Sequence, residues 1–402
     1  MKTLVINTGS SSIKYQFINM PSGEVLCAGL VERIGEETGN ISHHKFVDSK
    51  EITTYFEEEI PNHETGMKRV ASLLTDTEFG VIENTSAIKL VGHRIVMGGE
   101  KYSKTSVITD EVKETIEKLS SIAPLHNPPN LIGIHVAEQI FTEATQIGVF
   151  DTSFHSTLPD YAYRYAIPNY LYEEHGIRVY GFHGTSHQYV MERAAKMLNK
   201  KLDEVNLITI HLGNGASITA VKNGKSIDTS LGMTPTSGLV MGTRVGDIDP
   251  GVILYMEDSL GIEIAEVKRI INKESGLKGL TGNNDLRFIE EQFEKGDEKA
   301  ALALKIYAYR IKKYIGSYLA IIGRVDAIVF TAGVGENSST IRRMTTEDLS
   351  HLGIEINEEF NLSKSKSERD ISSEEAKIKT LIIPTNEELE IAKQAFLVYK
   401  RE

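Results

Sequence analysis

The chain contains no tryptophan and a single cysteine, Cys27, in 402 residues. One cysteine cannot form a disulfide within the chain, so this usage fits a reducing compartment. The surrounding segment VLCAGLV is apolar and strand-like, which is typical of a buried packing residue rather than a nucleophile. The sequence therefore predicts neither a disulfide-stabilised domain nor thiol chemistry.

Long apolar runs are also missing. No stretch approaches the roughly 20 apolar residues needed to cross a bilayer, and no charged, apolar and small-residue signal sequence opens the chain. We expect a cytoplasmic protein without a membrane partner. A length of 402 residues exceeds the size at which one hydrophobic core keeps growing, so we expect two or more domains.

Positive charge is scarce, because 44 lysines and arginines face 56 acidic residues and give a net charge of −12. This balance argues against nucleic acid as a partner. A protein of this composition that handles anions must place its few useful cations locally. Arginines flanked by glycine or apolar residues are therefore the first candidates for function.

A strand that enters a small glycine- and serine-containing turn and leaves as a second strand occurs twice. The first copy is TLVINTGSSSIKYQFI (residues 3–18) and the second is LITIHLGNGASITAV (207–221). Each predicts a β-hairpin, and a tip with so little bulk can present backbone N–H groups to a phosphate. An ordinary hairpin is the alternative for either copy alone. The pair predicts two related lobes that face a phosphorylated ligand.

A third segment, DAIVFTAGVGENS (326–338), reads as a buried strand, a glycine turn and a helix start, which is typical of nucleotide binding. The two commonest nucleotide motifs are nevertheless absent. Gly224-Lys225-Ser226 lacks the first P-loop glycine, because Thr219 stands there. The dinucleotide fingerprint also fails, since Ile218 and Ser338 occupy the third glycine position.

Together with further motifs along the chain, these segments resemble the acetate kinase family, within the superfamily of sugar kinases, actin and heat-shock ATPases. The motifs are Asn7 to Ser12 with Lys14, Gly92-His93-Arg94, Ala123 to Pro128, Phe150-Asp151-Thr152, Gly181 to His187, His211 to Gly215, Arg244, Asp285-Leu286-Arg287, Gly333 to Asn337 and Thr385 to Leu389. The resemblance covers essentially the whole chain. Met97 departs from it, since many members have histidine there, and receives no role.

The resemblance implies an α/β fold of two duplicated actin-like, RNase H-like lobes, each a mixed β-sheet flanked by helices, with the active site in the cleft between them. We expect the N-terminal lobe to comprise residues 1–150 and 388–402, and the nucleotide-binding C-terminal lobe residues 151–387. Family members are typically homodimers. The residue pattern agrees, because strands followed by alternating helices and strands predict mixed sheets covered by helices. Asp110 and Thr385 are the predicted caps of two helices, with Glu388 in the capping-box position of the second.

Two arginines are the best candidates for binding an anion. Arg94 lies in the strand-like run LVGHRIVMGG, where a buried charge is costly without an anion to pair with. Arg244 lies in the glycine-rich loop MGTRVGDIDPG. A guanidinium can bind two oxygens of a carboxylate or phosphate at once. The alternative for each is a structural pair with a local acid, such as Asp247 or Asp249 for Arg244.

Two histidines and one aspartate follow as candidates. His183 precedes a predicted helix, where an imidazole can donate to a phosphoryl oxygen. A metal pair of His183 and His187 is a poor alternative, because no further ligands accompany them and magnesium prefers oxygen. His126 alone would more often be structural. Asp151 ends a buried strand, the position from which α/β sheets present functional side chains; a general-base role is hard to justify, since a carboxylic acid substrate is already ionised at neutral pH.

The resemblance assigns roles to these and other residues. The catalytic residues are Arg94, Asp151, His183 and Arg244, with Asp151 either a base or, as we favour, an anchor. Acetate would be held by Arg94, His126 and a methyl pocket of Val96, Leu125, Phe182 and Pro235. The nucleotide would be held by Ser10, Ser12, Lys14, His211, Leu212, Gly213, Asn214, Gly215, Asp285, Leu286, Arg287, Gly333, Val334, Gly335, Glu336 and Asn337. Mg²⁺, with Mn²⁺ as a substitute, would be linked to Asn7 and Glu387.

The resulting hypothesis is a reversible, Mg²⁺-dependent transfer of the ATP γ-phosphoryl group to acetate, with acetyl phosphate and ADP as products. The transfer would be direct and in line. A propionate or butyrate kinase is the alternative among enzymes. A nucleotide-driven clamp of the heat-shock type is the alternative of a different class, although a clamp needs neither a carboxylate-binding arginine nor a small apolar pocket.

Overall fold

The computed structural model describes residues 1–48 and 50–401. The strands are β1 (Lys2–Thr8), β2 (Ser12–Asn19), β3 (Glu24–Glu32), β4 (Gly39–Val47), β5 (Lys50–Glu58), β6 (Leu90–Ile95), β7 (Ser106–Val107), β8 (Thr145–Phe150), β9 (Leu207–Leu212), β10 (Ala216–Lys222), β11 (Lys225–Thr229), β12 (Ala327–Thr331), β13 (Arg369–Asp370) and β14 (Lys379–Ile382). The helices are α1 (His63–Thr75), α2 (Asp110–Lys118), α3 (Asn127–Ile140), α4 (Asp160–Tyr163), α5 (Asn169–Glu173), α6 (Gly184–Met197), α7 (Pro250–Asp258), α8 (Ile264–Arg269), α9 (Gly276–Thr281), α10 (Leu286–Glu294), α11 (Glu298–Ile322), α12 (Ala332–Asn337), α13 (Ser339–Thr346), α14 (Glu358–Leu362) and α15 (Glu387–Tyr399).

The chain divides into two compact units. The first comprises Met1–Ser153 with Asn386–Glu402, and the second comprises Phe154–Thr385. Asp151 and Glu387, which the sequence places at the predicted boundaries, both lie in the first unit. Within the described residues, no helix combines the length and apolar character that a membrane span requires.

The first unit is built on an eight-stranded sheet with the order β5-β4-β3-β2-β1-β6-β8-β7. Strands β1 to β5 pair antiparallel, whereas β1, β6 and β8 run parallel to one another. Leu4 and Ile6 of β1 pack into one core with α1 and α3, while Val5 packs with α15. Because successive side chains of a strand point to opposite faces, helices cover both sides of this sheet.

Helix α15 brings the C-terminal segment onto the centre of the first sheet. Ile391 and Ala392 pack with Val5 and Val149. Gly92 of β6 permits the close approach, since a Cβ there would lie 3.0 Å from the Cγ2 atom of Ile391. The docked helix places its first residue, Glu387, at the end of the sheet where β1, β6 and β8 finish.

The second unit repeats the strand order of the first. Its six-stranded sheet has the order β11-β10-β9-β12-β14-β13. An antiparallel set, β9 to β11, adjoins the parallel strands β12 and β14, as β1 to β3 adjoin β6 and β8. The predicted architecture of duplicated mixed sheets flanked by helices is confirmed, and both glycine turns form hairpin tips, between β1 and β2 and between β9 and β10.

Two predicted helix caps are wrong by one residue. Thr109, and not Asp110, caps α2 by accepting a hydrogen bond from Val112 N. Asn386, and not Thr385, caps α15 by accepting from Leu389 N. Glu388 accordingly makes no capping box and instead forms an ion pair with Lys14 at 2.5 Å. Several residues near each end can cap a helix, so composition alone does not fix its first residue.

Candidate active site

Three predicted site residues of the first unit lie at the carboxyl ends of adjacent parallel strands. Asn7 is near the end of β1, Arg94 is near the end of β6, and Asp151 directly follows β8. The Asp151 N–H continues the ladder by donating to the Ile95 carbonyl at 2.8 Å. Parallel pairing therefore brings together residues that are 57 and 87 positions apart in the chain.

Arg94 and Asp151 form a buried ion pair. Arg94 Nε lies 3.2 and 3.1 Å from the two Asp151 carboxylate oxygens, and Nη2 donates to Oδ2 at 2.6 Å. The Asp151 side chain is 1% exposed and the Arg94 side chain 19%. The sequence correctly indicated a buried charge in need of an anion, but one such anion is supplied by the protein itself.

The Arg94 guanidinium retains hydrogen-bonding capacity after these contacts. Nη1 donates to Asn7 Oδ1 at 3.3 Å, so one N–H on Nη1 and one on Nη2 are not used by Asn7 or Asp151. Glu387 Oε2 lies 3.8 Å from Nε. The Arg94 guanidinium is therefore held in place by the carboxylates of Asp151 and Glu387 on one side, while its partly exposed side can still donate hydrogen bonds to an oxyanion.

The charges at this edge of the sheet shift one another's protonation. Burial lowers the pKa of Arg94, but the negative charges of Asp151 and Glu387 more than offset it, so the pKa lies above its ordinary value. Burial raises the pKa of Glu387 to about 7, with Arg94 opposing the rise and Asp151 and Glu388 adding to it. The arginine is thus a permanent cation, whereas Glu387 exchanges its proton near neutral pH.

The other predicted residues of the first unit differ in position and in exposure. Ser10 and Ser12 belong to the β1–β2 tip, which is closed by a hydrogen bond from Gly9 N to Ser12 O. Val96 is buried, whereas Leu125 is exposed. His126 immediately precedes α3.

The backbone after Arg94 is held by two asparagines of α3, Asn127 and Asn130, to which the sequence alone assigned no role. Val96 N donates to Asn130 Oδ1, and Met97 N donates to Asn127 Oδ1, both at 3.1 Å. Both asparagine side chains are buried. The repeated pattern of proline and asparagine in HNPPN contained no signal that distinguished this role from helix capping.

In the second unit, His183 precedes α6 in a left-handed conformation, with φ of 56°. A non-glycine residue in this region costs about 1 to 3 kcal/mol and persists where its surroundings enforce it. The imidazole stacks on His211 of β9 at a centroid distance of 4.3 Å, and its Nδ1 contacts Ser217 Oγ at 2.9 Å. A Cβ on Gly215 would lie 3.3 Å from His183 Nε2 and 3.7 Å from Arg244 Nη1. The glycine tip, the imidazole and the guanidinium therefore converge.

His187 is not a metal ligand in this arrangement. Its Nδ1 contacts Thr209 Oγ1 and its Nε2 contacts Ser217 Oγ, both at 2.7 Å. The side chain is fully buried, and burial lowers its pKa well below the usual range. No group of three or more potential metal-binding His, Cys, Asp or Glu side chains occurs within residues 1–48 and 50–401.

Arg244 has no carboxylate partner among the described residues, which removes its structural alternative. Nη1 donates to the Pro235 carbonyl at 2.9 Å, and burial lowers the pKa of Arg244. Asp247 instead accepts from Gly238 N and from the Tyr314 hydroxyl, while Asp249 caps α7. A mostly buried cation without a carboxylate is costly, so this site favours an external anion.

A cavity of about 820 Å³ in the second unit brings together many of the predicted nucleotide-binding residues. Its volume is within the range of small-molecule sites. The predicted residues that line it are Gly213, Asn214, Asp285, Leu286, Arg287, Gly333, Val334 and Asn337. The sequence missed Gly242, Leu277, Asn284, Glu290, Tyr307 and Ser338. All of these except Ser338 lie in loops and helices without a phosphate-binding pattern, whereas Ser338 ends the predicted segment 326–338.

Some predicted nucleotide residues do not line this cavity. His211 and Leu212 are buried in and at the end of β9. Glu336 accepts a hydrogen bond from Thr385 N at 3.2 Å, and burial raises its pKa. Asp285 and Arg287 do line the cavity. Asp285 caps α10, and its carboxylate lies 2.7 Å from Nη2 of the exposed Arg287.

Gly333 provides a test of the cavity. A Cβ there would meet no atom within 4 Å, so valine should fold normally while its methyl groups occupy cavity space. We expect Gly333→Val to weaken ADP binding by about tenfold or more, because added methyl groups overpack a fitted site. Calorimetry measures the affinity, and thermal melting measures the stability. Gly316→Val is the matched control, since Gly316 of α11 also has open space but is exposed and does not line the cavity; equal ADP affinity in both variants would remove this cavity as the nucleotide site.

Comparison with known proteins places the chain in a family. The model of the acetokinase family matches residues 2–393. Acetate kinase of Flavobacterium johnsoniae is 54% identical over 398 residues, which cover 98% of this chain and 99% of the relative.

Solved structures agree over nearly the whole length of the chain. The crystal structure of acetate kinase from Porphyromonas gingivalis matches with a TM-score of 0.92 at 44% identity and covers 99% of both chains. A propionate kinase from Francisella tularensis matches with a TM-score of 0.91 at 41% identity, again over 99% of both chains. The chain therefore belongs to the acetokinase family.

Proposed function

We propose that this protein catalyses the reversible transfer of the γ-phosphoryl group of ATP to acetate, giving acetyl phosphate and ADP. The observation that carries the proposal is the Arg94 guanidinium, which is held from behind by Asp151 and Asn7 and keeps two N–H groups for an oxyanion. Family membership and the similarity to acetate kinases support the same activity.

The transfer is direct. A carboxylate oxygen of acetate attacks the γ-phosphorus in line, the new P–O bond forms, and the bond to the ADP oxygen breaks. Negative charge spreads over the three equatorial oxygens of the transferring group. Arg94, Arg244 and His183 balance that charge, because guanidinium and imidazole N–H groups fixed in advance require no rearrangement during the reaction.

Asp151 acts as an anchor and not as a base. Both of its oxygens contact the Arg94 guanidinium, and acetate has no proton to lose at neutral pH, because simple carboxylic acids titrate near ~4. Its role is to hold the arginine fork in the orientation that receives the reacting oxygens.

The described residues also fit a magnesium ion. Asn7, near the end of β1, and Glu387, the first residue of α15, would supply oxygen ligands. Mg²⁺ prefers oxygen, keeps several waters and is bound through one or two carboxylates together with substrate phosphates. When bound, the ion would neutralise charge on the phosphates. We propose Asn7 and Glu387 as the residues linked to it, with Mn²⁺ as a substitute.

ATP and ADP are proposed to occupy the cavity of the second unit. Asp285, Leu286, Arg287 and the segment from Gly333 to Asn337 hold the adenosine, and the glycine tip at 213–215 offers backbone N–H groups to the phosphates. Lys14 contributes a further cation, with its ammonium positioned by Glu388.

A propionate kinase is the second candidate, favoured by the similarity to the Francisella tularensis protein. The two activities differ by one methylene, so the residues beside the arginine decide between them. Val96 follows Arg94 by two positions, is buried and has its backbone fixed by Asn130. We propose that Val96 contacts the methyl group of acetate.

We further propose a homodimer in the cytoplasm. No residue of α7 is buried in the single chain, although Val252, Leu254 and Tyr255 are apolar and 41 to 59% exposed. Exposed apolar patches of this kind mark interaction surfaces. Sedimentation measures the mass directly, and a monomer at micromolar concentration would contradict the dimer.

The proposed reaction predicts acyl phosphate formation that depends on Arg244. Protein mixed with ATP, Mg²⁺ and acetate should yield acetyl phosphate, trapped with hydroxylamine, and Arg244→Ala should lower kcat by about 100- to 1000-fold, the range for removing one preorganised transition-state donor. Arg343→Ala, which removes an exposed arginine near Glu358, is the control. ATP hydrolysis without trapped acyl phosphate would instead support the clamp function.

The acyl specificity tests the role of Val96. Val96→Ala should open space for one methylene and raise the propionate-to-acetate ratio of kcat/KM roughly tenfold, since a methylene is worth only ~1 to 3 kcal/mol in an apolar pocket. The KM for ATP should barely change. Val91→Ala removes the same volume from a buried position on β6, the strand that precedes Val96, and should leave the ratio unchanged. An unchanged ratio in Val96→Ala would exclude this residue from the acyl site.

A further inference from the structure

A line of hydrogen bonds ends at His183 and begins at Thr209, a fully buried residue of β9. Thr209 Oγ1 contacts His187 Nδ1 at 2.7 Å, His187 Nε2 contacts Ser217 Oγ at 2.7 Å, and Ser217 Oγ contacts His183 Nδ1 at 2.9 Å. The three residues behind His183 are all fully buried. Bulk water therefore does not reach these three side chains and cannot supply alternative hydrogen-bond partners.

The number of protons available along this line of hydrogen bonds favours one placement of the protons. Among residues 1–48 and 50–401, the Thr209 hydroxyl has one hydrogen-bond partner, His187 Nδ1, and a buried hydroxyl proton without an acceptor is costly. Thr209 therefore donates to Nδ1, which leaves the proton of neutral His187 on Nε2. That N–H donates to Ser217 Oγ, whose own proton must then be donated to His183 Nδ1.

The same count disfavours the opposite arrangement, because that arrangement leaves one buried hydroxyl proton without an acceptor. If His183 carried a proton on Nδ1, Ser217 would accept it and donate to His187 Nε2, and His187 would donate from Nδ1 to Thr209. The Thr209 proton would then have no acceptor among the described residues. A doubly protonated His183 meets the same obstacle, because it too carries a proton on Nδ1.

We propose that Thr209, His187 and Ser217 are positioning residues that hold His183 as the neutral tautomer with its proton on Nε2, so that this N–H donates to the transferring phosphoryl group. The inference rests on the proposed phosphotransfer and deepens it. Nε2 is the ring nitrogen that borders Gly215 beside Arg244, where a phosphoryl oxygen would be received. His183 acts as a hydrogen-bond donor, and no proton is transferred.

Burial also keeps the His187 ring uncharged. The pKa of His187 lies well below its usual range because the ring is buried, with the neighbouring His155 and His211 lowering it further. A neutral His187 carries one proton for its two ring nitrogens, as the chain requires. The stacked His211 Nδ1 contacts Ser186 Oγ at 2.8 Å, so it is fixed by a separate hydroxyl.

The test combines NMR of ¹⁵N-histidine-labelled protein with steady-state kinetics. In the wild type, the His183 signals, identified by their loss in His183→Gln, should show a neutral ring protonated on Nε2. Ser217→Ala removes the bridging oxygen and should give a mixture of tautomers. We expect kcat to fall about tenfold, less than for loss of the donor itself, while the KM values for ATP and acetate stay within about twofold, because the tautomer affects the transition state more than binding.

Thr209→Val and Thr219→Val separate positioning from packing. Thr209→Val keeps the side-chain shape but removes the hydroxyl proton that favours one tautomer. It should lower kcat by a smaller factor than Ser217→Ala does, and it should likewise give a mixture of His183 tautomers. Thr219, two residues from Ser217 on β10, is equally buried, and its hydroxyl has Thr229 as its one side-chain partner among the described residues; its valine variant should leave kcat and the His183 tautomer unchanged.

Either of two results would overturn the inference. One is a His183 ring that is wholly Nε2-protonated in both Ser217→Ala and Thr209→Val. The other is a wild-type kcat in both variants. The NMR result is independent of activity, so a wild type without phosphotransfer would remove the proposed function while the tautomer assignment remained measurable.

Discussion

The buried ion pair between Arg94 and Asp151 is the interaction on which the candidate site of the first unit depends. A guanidinium at the end of a covered sheet is costly unless it is paired, and loss of one partner of such a pair typically costs about 3 to 5 kcal/mol. Parallel pairing of β6 and β8 supplies the partner. The same geometry aligns the outer edge of the guanidinium, so the requirement for burial and the requirement for anion binding are met by one contact.

The second unit uses the repeated sheet differently. Its glycine tip follows β9, and the neighbouring positions carry histidines and hydroxyls in place of the ion pair. His183 is kept in a left-handed conformation by the start of α6 and by its stack on His211. Arg244, which forms no ion pair with a carboxylate in the part of the chain that the structure describes, lies beside that imidazole at Gly215. Fixed donors and an unneutralised cation are the properties expected where negative charge spreads during a reaction.

Much of the fold could be predicted because its signals are local. The two glycine turns between alternating strands indicated the duplication, and the strand before Ala332 leads directly into residues that line the cavity of the second unit. Helix starts were less predictable, since Thr109 and Asp110 are both competent caps and only the observed hydrogen bond selects Thr109. The choice between them depends on how α2 packs, which is not a local property.

The sequence indicated candidate residues of the site but not which residues contact one another. Arg94 was recognised as a buried cation, but Asp151 is 57 positions away and becomes its partner only through strand register. His187 was considered only as a metal ligand, because Ser217 and Thr209 are 30 and 22 positions distant. For Arg244 the local acids suggested a pair, and the structure instead engages Asp247 with Gly238 and Tyr314.

Asp151 is proposed to orient Arg94 and not to remove a proton. The most direct measurement is the pH dependence of kcat/KM for acetate in the wild type and in Asp151→Asn, across roughly pH 8 to 10, which lies above the pKa of about 7 that Asp151 itself helps to raise at Glu387. An anchor predicts that the variant is slower by about 100-fold or more and that the ratio of the two rates is the same at every pH. A defect that disappears as the pH rises would contradict the account and identify Asp151 as a general base.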